Sequence, residues 1–351
     1  MGNWKKNLRV VEPYIPGEQP KQENMIKLNT NENPYPPAPG VEKVLKSMET
    51  GDFRLYPKPD ARELVDALAE EYNIPANQIF VGVGSDDVLG MAFLTCFNGE
   101  KPILFPDITY SFYPVWADLF KIPYERPALD ENFCIKKEDY FVENGGIVIA
   151  NPNAPTSIAM PLADIEEIIA KNPDSVVIID EAYVDFGGES ALPLVDKYEN
   201  LLVVQTFSKS RSMAGMRIGF AFGSKELIDA MYAVRNSYNS YTMNMPSILC
   251  GTEAVKDRAY FDKTRAAIVE TREEVAEKLT KLGFKVLPSN ANFLFVSHER
   301  VPAEELFLML REKHIYVRYF KQPRIQNYLR ITIGTPEQMN IFLAEVEQYL
   351  E

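Results

Sequence analysis

Four short apolar runs constrain the fold of this chain more than any other feature: KPILFP (101–106), GIVIANPN (146–153), SVVIIDEAY (175–183) and LLVVQTF (201–207). Their Val, Ile and Leu residues follow one another without polar alternation, as in strands buried on both faces. Helical patterns such as LADIEEIIAKNP (162–173) lie between several of them. Strands alternating with helices require right-handed crossovers, and hence a mostly parallel sheet. Upstream, the helix patterns VEKVLKSMET (41–50) and DARELVDALAEEYN (60–73) precede a strand-like QIFVGVG (78–84) and the apolar helix DDVLGMAFLTCF (86–97). The first forty residues are polar and proline-rich (EPYIPGEQPKQENMIKLNTNENPYPPAPG, 12–40), which predicts an extended arm lying on another surface. Past Pro246 the texture changes to a long charged helix (265–283), then FKVLPSNANFLFVSHE (284–299), a second helix (303–314), the strands IYVRYF (315–320) and YLRITIG (328–334), and a terminal helix. The expectation is an α/β chain with an arm over 1–40, a large domain over 41–245 and a smaller α+β domain over 246–351.

Composition removes several functional classes. With 37 Lys+Arg against 50 Asp+Glu, the net charge of −13 supplies no general attraction to nucleic acid or an anionic membrane, so an anionic ligand must be held by a few placed cations. Cys96, Cys134 and Cys250 lie far apart, which suits a reducing compartment and argues against a disulfide framework or a thiolate metal site. With His298 and His314 the only histidines, a histidine-rich metal site is not expected either. The first twenty residues lack an apolar core of signal-peptide length and no run is long enough to span a bilayer. The expected location is cytoplasmic.

The chemistry concentrates in loops at the ends of the predicted strands, the edge where open α/β sheets bind ligands. GVGSDDVLG puts Gly82, Gly84, Ser85 and Asp86 where a strand turns into a helix, either as a phosphate-holding helix start or as a plain capped one. Asp180 ends an apolar strand with Tyr183 three residues on, as a turn-capping acid or as one that meets a buried cation. VVQTFSKSRSMAGMRIGF (203–220) carries Lys209 between small residues, with Thr206, Ser208, Arg211 and Arg217 nearby. Alone this reads as a surface loop. Assembled, the groups supply a lysine amine for a Schiff base, a carboxylate for a pyridinium nitrogen, and hydroxyls, amides and an arginine for a phosphate, which together suit pyridoxal 5'-phosphate.

The ordered motifs NENP, YP, GSDD, NPNAPT, DEAY, TFSK…AGMRIG and YLRITIGT resemble the histidinol-phosphate aminotransferase family of fold-type-I pyridoxal phosphate enzymes across nearly the whole chain. The resemblance implies a homodimeric aminotransferase acting on L-histidinol phosphate and 2-oxoglutarate in histidine biosynthesis. By it, Lys209 is the cofactor-bound lysine and proton shuttle, Asp180 pairs with the ring nitrogen, Tyr183 bonds the ring oxygen and Tyr110 stacks on the ring. Gly84, Ser85, Asp86, Thr206, Ser208 and Arg217 surround the cofactor phosphate, with Tyr56 reaching it from the neighbouring subunit. Asn31, Arg330, Arg318 and Tyr14 fall on the substrate side, the two arginines and Tyr14 at its anionic end. The chain departs from the family where NPNNPTG is replaced by NPNAPTS: Ala154 stands in place of the asparagine that bonds the ring oxygen, and Ser157 in place of glycine. Asn153 or another donor then substitutes, or the cofactor is tuned differently. Competing readings are an aromatic amino-acid aminotransferase, a threonine-phosphate decarboxylase-like enzyme, and a cofactor-binding regulator without turnover; retention of both Lys209 and Arg330 speaks against the last.

Overall fold

The computed structural model describes residues 3–22 and 24–351, so residues 1, 2 and 23 of the expected arm lie outside the described residues. Its strands are β1 (Ile26–Leu28), β2 (Ile79–Gly82), β3 (Ile103–Leu104), β4 (Tyr124–Glu125), β5 (Gly146–Ala150), β6 (Val177–Asp180), β7 (Leu201–Thr206), β8 (Gly219–Gly223), β9 (Phe284–Val286), β10 (Phe293–His298), β11 (Ile315–Tyr319) and β12 (Leu329–Thr332). The helices are α1 (Pro39–Ser47), α2 (Arg62–Tyr72), α3 (Ser85–Cys96), α4 (Tyr113–Phe120), α5 (Leu162–Lys171), α6 (Lys225–Tyr238), α7 (Met245–Lys256), α8 (Arg258–Lys281), α9 (Ala303–Glu312) and α10 (Pro336–Leu350).

A seven-stranded sheet runs in the order β2-β8-β7-β6-β5-β3-β4. The β3–β4, β3–β5, β5–β6 and β6–β7 pairings are parallel, while β8 is antiparallel to both β7 and β2. The mostly parallel sheet expected from the apolar runs is thus present, with one reversed strand. Because side chains alternate across a strand, successive residues of one run serve two cores. Ile147, Ile149, Val177, Ile179, Leu201 and Val203 pack into the cluster with α2 and α5. Val148, Ile178, Leu202 and Val204 pack into the opposite cluster, with α3 and α4. An unbroken apolar run is what a strand needs when helices cover both of its faces.

A five-stranded sheet in the order β1-β11-β12-β10-β9 forms the smaller unit, with α8, α9 and α10 closing its core. Ile26–Leu28, within the segment expected as an extended arm lying on another surface, pairs in parallel with Ile315–Val317 as an edge strand of this sheet. Other parts of the arm are anchored by Glu18, which pairs with Arg311 at 2.8 Å and accepts from Asn29 Nδ2 through its carbonyl at 2.8 Å.

Two consequences of this topology place the site. The parallel strands β5, β6 and β7 end together, with Ala150 beside Asp180 and Asp180 beside Val204 in register. Since β8 runs backwards, its first residue Gly219 faces both Thr206 and Gly82, returning Arg217 to that same edge.

Candidate active site

A cavity of about 510 Å³ opens at this edge, between the large sheet, the start of the chain and the smaller sheet, a size suited to a small-molecule site. It is lined by Tyr14, Asn31, Ser85, Asp86, Tyr110, Asp180, Tyr183, Thr206, Ser208, Lys209, Arg217, Arg318 and Arg330, so most of the residues singled out from the sequence converge on one space.

One end is an anion cup. Helix α3 begins at Ser85 and directs its free N–H groups and positive dipole end outward. Gly84 precedes it at φ +83°, and a Cβ there would lie 2.5 Å from Arg217 Nη2. Only glycine lets the guanidinium lie against this turn. Gly219 is needed for a similar reason, since a Cβ on it would meet the Gly84 carbonyl carbon at 2.3 Å. Thr206 Oγ1 and Ser208 Oγ stand 3.0 Å apart beside this cup. The carboxylate of Asp86 would repel an anion, so this side chain serves the cup indirectly. It holds Arg217 Nη2 at 3.1 Å and accepts from the Tyr110 hydroxyl at 2.8 Å, so it fixes a cation and an aromatic wall. Burial and the adjacent Asp86 push the Tyr110 phenol well above its ordinary range, keeping it a donor.

The middle of the cavity carries the acid and the lysine. Asp180, buried at the end of β6, accepts from the Tyr113 hydroxyl at 2.8 Å and from the Ala182 N–H at 3.3 Å. Burial raises its carboxyl to about 6 despite those donors. Such an acid is poised to be ionised by a cation brought against it. Lys209 Nζ donates to the Thr30 carbonyl at 3.3 Å and lies 5.7 Å from the centre of the Tyr183 ring. Asn33 Nδ2 bonds the Lys209 carbonyl at 2.9 Å, tying the lysine turn to the start of the chain. The Tyr183 ring meets Phe293 edge-on, and its hydroxyl accepts from Asn31 Nδ2 at 2.9 Å.

The far end is a second cationic region. Arg318 on β11 and Arg330 on β12 are direct cross-strand partners and therefore share a sheet face. Arg330 donates through Nη2 to the Asn29 carbonyl at 3.0 Å, but its buried Nε–H has no partner. Among the described residues, neither arginine forms an ion pair. Burial, with Arg318 alongside, lowers the Arg330 pKa. Two adjacent guanidiniums with no carboxylate between them are costly unless an anion joins them. Tyr14 stacks on Phe112 at 4.7 Å beside this end.

Three expected residues stand apart from the cavity wall. Gly84 acts through its backbone, as described. Asn153 is buried and its side chain is spent locally, donating to the Ile108 carbonyl at 2.9 Å and to Thr156 Oγ1 at 3.0 Å, and accepting from Thr109 at 2.7 Å. Ala154, its neighbour, lines the cavity instead. Tyr56 is 80% exposed and stacks on Tyr241 at 4.5 Å, outside this chain's own cavity. Sequence patterns did not single out Thr30, Asn29 or Tyr113. The first two look like ordinary polar arm residues until β1 carries them to the cavity, and Tyr113 reads as one more aromatic in an apolar helix.

The donor set fits pyridoxal phosphate. The glycine-lined turn and helix start suit its phosphate, Asp180 its ring nitrogen and Lys209 its aldehyde carbon. Among the described residues no cluster of three or more His, Cys, Asp or Glu side chains is arranged to hold a metal ion, and no helix is long and apolar enough to cross a membrane.

Residues 23–346 match the profile of the family described as aminotransferase class I and II. The chain is 52% identical over 349 residues to a histidinol-phosphate aminotransferase of Lactococcus lactis subsp. cremoris, covering 99% of this chain and 98% of that one. It is 48% identical over 347 residues to the Clostridium botulinum protein of the same name, at 99% and 98% coverage. Among solved structures, a putative histidinol-phosphate aminotransferase from Erwinia carotovora atroseptica superposes with TM-score 0.85 at 25% identity, over 95% of this chain and 98% of the other. That of Sinorhizobium meliloti, solved in complex with pyridoxal-5'-phosphate, gives 0.84 at 21% identity, over 93% and 90%.

Proposed function

Because the chain belongs to the histidinol-phosphate aminotransferase family, within the class I and II aminotransferases, we propose that it is a pyridoxal phosphate-dependent enzyme moving an amino group between L-histidinol phosphate and 2-oxoglutarate in histidine biosynthesis. The observation that carries the substrate assignment is the Arg318–Arg330 cross-strand pair. A carboxylate is satisfied by one bidentate arginine, whereas a phosphate monoester brings close to two charges and three acceptor oxygens. Two unpaired guanidiniums on one sheet face match the phosphate. With 2-oxoglutarate, Arg330 receives a carboxylate in the other half-reaction.

When bound, pyridoxal phosphate supplies an electron sink that acidifies the carbon bearing the substrate's amino group. The chain's own groups do the rest. The α3 N-terminus, Thr206, Ser208 and Arg217 would hold the cofactor phosphate. Asp180 would keep the proton on the ring nitrogen, Tyr183 would donate to the ring oxygen and Tyr110 would cover one face of the ring. Lys209 Nζ would be the amine that holds the cofactor and that moves a proton to and from the substrate carbon.

The exposure of Tyr56 outside its own chain's cavity supports a homodimer in which each protomer's Tyr56 completes the other's phosphate cup. Three cysteines with no disulfide among them fit a cytoplasmic location.

The substrate assignment is tested by Arg318→Ala. Losing one charge-assisted bond to the phosphate lowers kcat/KM for histidinol phosphate by roughly ten- to hundredfold and leaves that for phenylalanine nearly unchanged. Equal losses on both substrates, or a wild-type preference for phenylalanine, promote an aromatic aminotransferase instead.

A further inference from the structure

We infer that Asn31 is a positioning residue that forces the Tyr183 hydroxyl proton toward the cofactor's ring oxygen, and so takes over the duty of the side-chain donor that Ala154 lacks; the inference rests on the cofactor reading above. The donors and acceptors around one buried amide fix the direction of that proton. Asn31 is 1% exposed and sits at φ +55°. Its carbonyl accepts from Asn292 Nδ2 at 3.0 Å and its N–H donates to Thr332 Oγ1 at 3.0 Å. The Thr332 hydroxyl spends its single proton on Asn31 Oδ1, also at 3.0 Å. The reversed amide orientation would orphan that proton in a residue only 2% exposed. With Oδ1 engaged by Thr332, Nδ2 must face the Tyr183 oxygen, at 2.9 Å. An amide nitrogen only donates, so the phenol oxygen accepts and its proton points away from Asn31.

The direction left to that proton is the cavity. On the neighbouring wall Ala154 packs with Ala291, Phe293 and Tyr183 in a small apolar cluster whose Ala and Phe side chains offer no hydrogen-bond acceptor. Asn153, one residue away, has both amide hydrogens committed to Ile108 and Thr156. Tyr183 is therefore the side-chain donor the structure provides for the ring oxygen, and Asn31 sets which way it donates.

A donor at that oxygen stabilises its ionised form, so the pH at which the lysine-bound cofactor changes colour falls when the bond is present and rises when it is lost. The charged and titratable groups that share the cavity with Tyr183 include Lys209 after β7, Asp180 at the end of β6, Arg330 with Arg318 on the small sheet, Tyr110 and Glu32 after β1, with Tyr113 of α4 close by. Every one is retained in the variants below.

The experiment is a spectrophotometric pH titration of the loaded protein, arranged as a double-mutant cycle over wild type, Asn31→Asp, Tyr183→Phe and the double variant. The carboxylate introduced by Asn31→Asp can only accept, so it captures the Tyr183 proton and raises the midpoint. The added negative charge also raises it, and that part persists without the phenol. The expected result is a rise larger by about one pH unit, a tenfold change in proton affinity, when Tyr183 is present than when it is replaced by phenylalanine. Ala154→Asn should lower the wild-type midpoint and return that of Asn31→Asp most of the way. Equal shifts in the two backgrounds overturn the inference. If Asn31→Asp does not fold, the cycle with Asn31→Leu carries the same sign at smaller size, and equal shifts there overturn it equally. Borohydride reduction of the wild type separates the two levels of argument: failure to label Lys209 defeats the cofactor reading itself, whereas a labelled, titrating protein with equal shifts defeats only the role of Asn31.

Discussion

Asp180 should destabilise the cofactor-free protein near neutral pH, and the effect has a definite pH signature. Burial raises its carboxyl from the ordinary 3.8 to about 6, the donors Tyr113 and Ala182 and the nearby Lys209 recovering only part of the cost. For an acid whose folded pKa lies above its unfolded one, the sign follows directly. Well below pH 4 both states hold the proton and there is no penalty. Between pH 4 and 6 the unfolded chain ionises first, so stability falls as pH rises. Above pH 6 the full difference is lost, about 3 kcal/mol at roughly 1.4 kcal/mol per pKa unit. Asparagine removes this titration. Its oxygen can still accept from Ala182, and its amide can donate to the Tyr113 oxygen, which is free to accept once its own proton turns away. Any fixed cost of that rearrangement is the same at every pH. The quantity to measure is therefore the stability of Asp180→Asn minus that of wild type, from urea unfolding of cofactor-free protein at pH 4 and at pH 7.5. It should become more favourable to the variant by about 2.5 kcal/mol across that range. In loaded protein the sign should reverse at pH 7.5, since a ring-nitrogen cation against the carboxylate offsets its burial and asparagine cannot do so. A difference that stays flat with pH in the cofactor-free protein would refute the reasoning, because the carboxyl would then be ionising as easily inside as outside.

Gly84→Ala should weaken pyridoxal phosphate binding at least tenfold in an absorbance titration, because a Cβ at φ +83° lies 2.5 Å from Arg217 Nη2 and must displace the guanidinium from the cup; unchanged affinity would place the phosphate elsewhere. Tyr56→Phe and Lys209→Ala proteins, each impaired alone, should recover activity when mixed under subunit exchange, as some hybrid dimers regain one site with both wild-type groups. Exchange demonstrated by mass without any recovery would mean that Tyr56 serves its own chain.

What the sequence made legible follows from how local each signal is. The runs that became β5, β6 and β7 are unbroken because helices cover both sheet faces, so burial itself writes the pattern. Lys209, Asp180 and the Gly84–Ser85 turn could be found because each lies at the end of such a run. β8 was hidden inside a stretch read for its cations: GFAFG is short and glycine-flanked, and its identity as a strand depends on pairing with β7 and β2. The same holds for Ile26–Leu28, which reads as part of a polar arm and becomes a strand only against Ile315–Val317.

The register of β11 on β12 was hidden for the same physical reason, and it matters most for function. Two arginines twelve residues apart could lie on opposite faces of the small sheet or on one, and a slip of a single residue separates them. In the observed register they are opposite each other on one face, with Arg330 Nε–H buried and without a partner. That arrangement is unfavourable for the protein alone, as are the raised carboxyl of Asp180 and the left-handed backbone at Asn31. A fold that merely sought stability would avoid like charges, a buried acid without a cation and a strained asparagine in one cavity. Each becomes favourable when the same ligands arrive: the dianion for the arginines, the ring nitrogen for Asp180, and the ring oxygen for the proton that Asn31 steers through Tyr183. Cofactor and substrate should consequently stabilise this protein by more than their contact area implies, with the excess concentrated above pH 6, where Asp180 is charged.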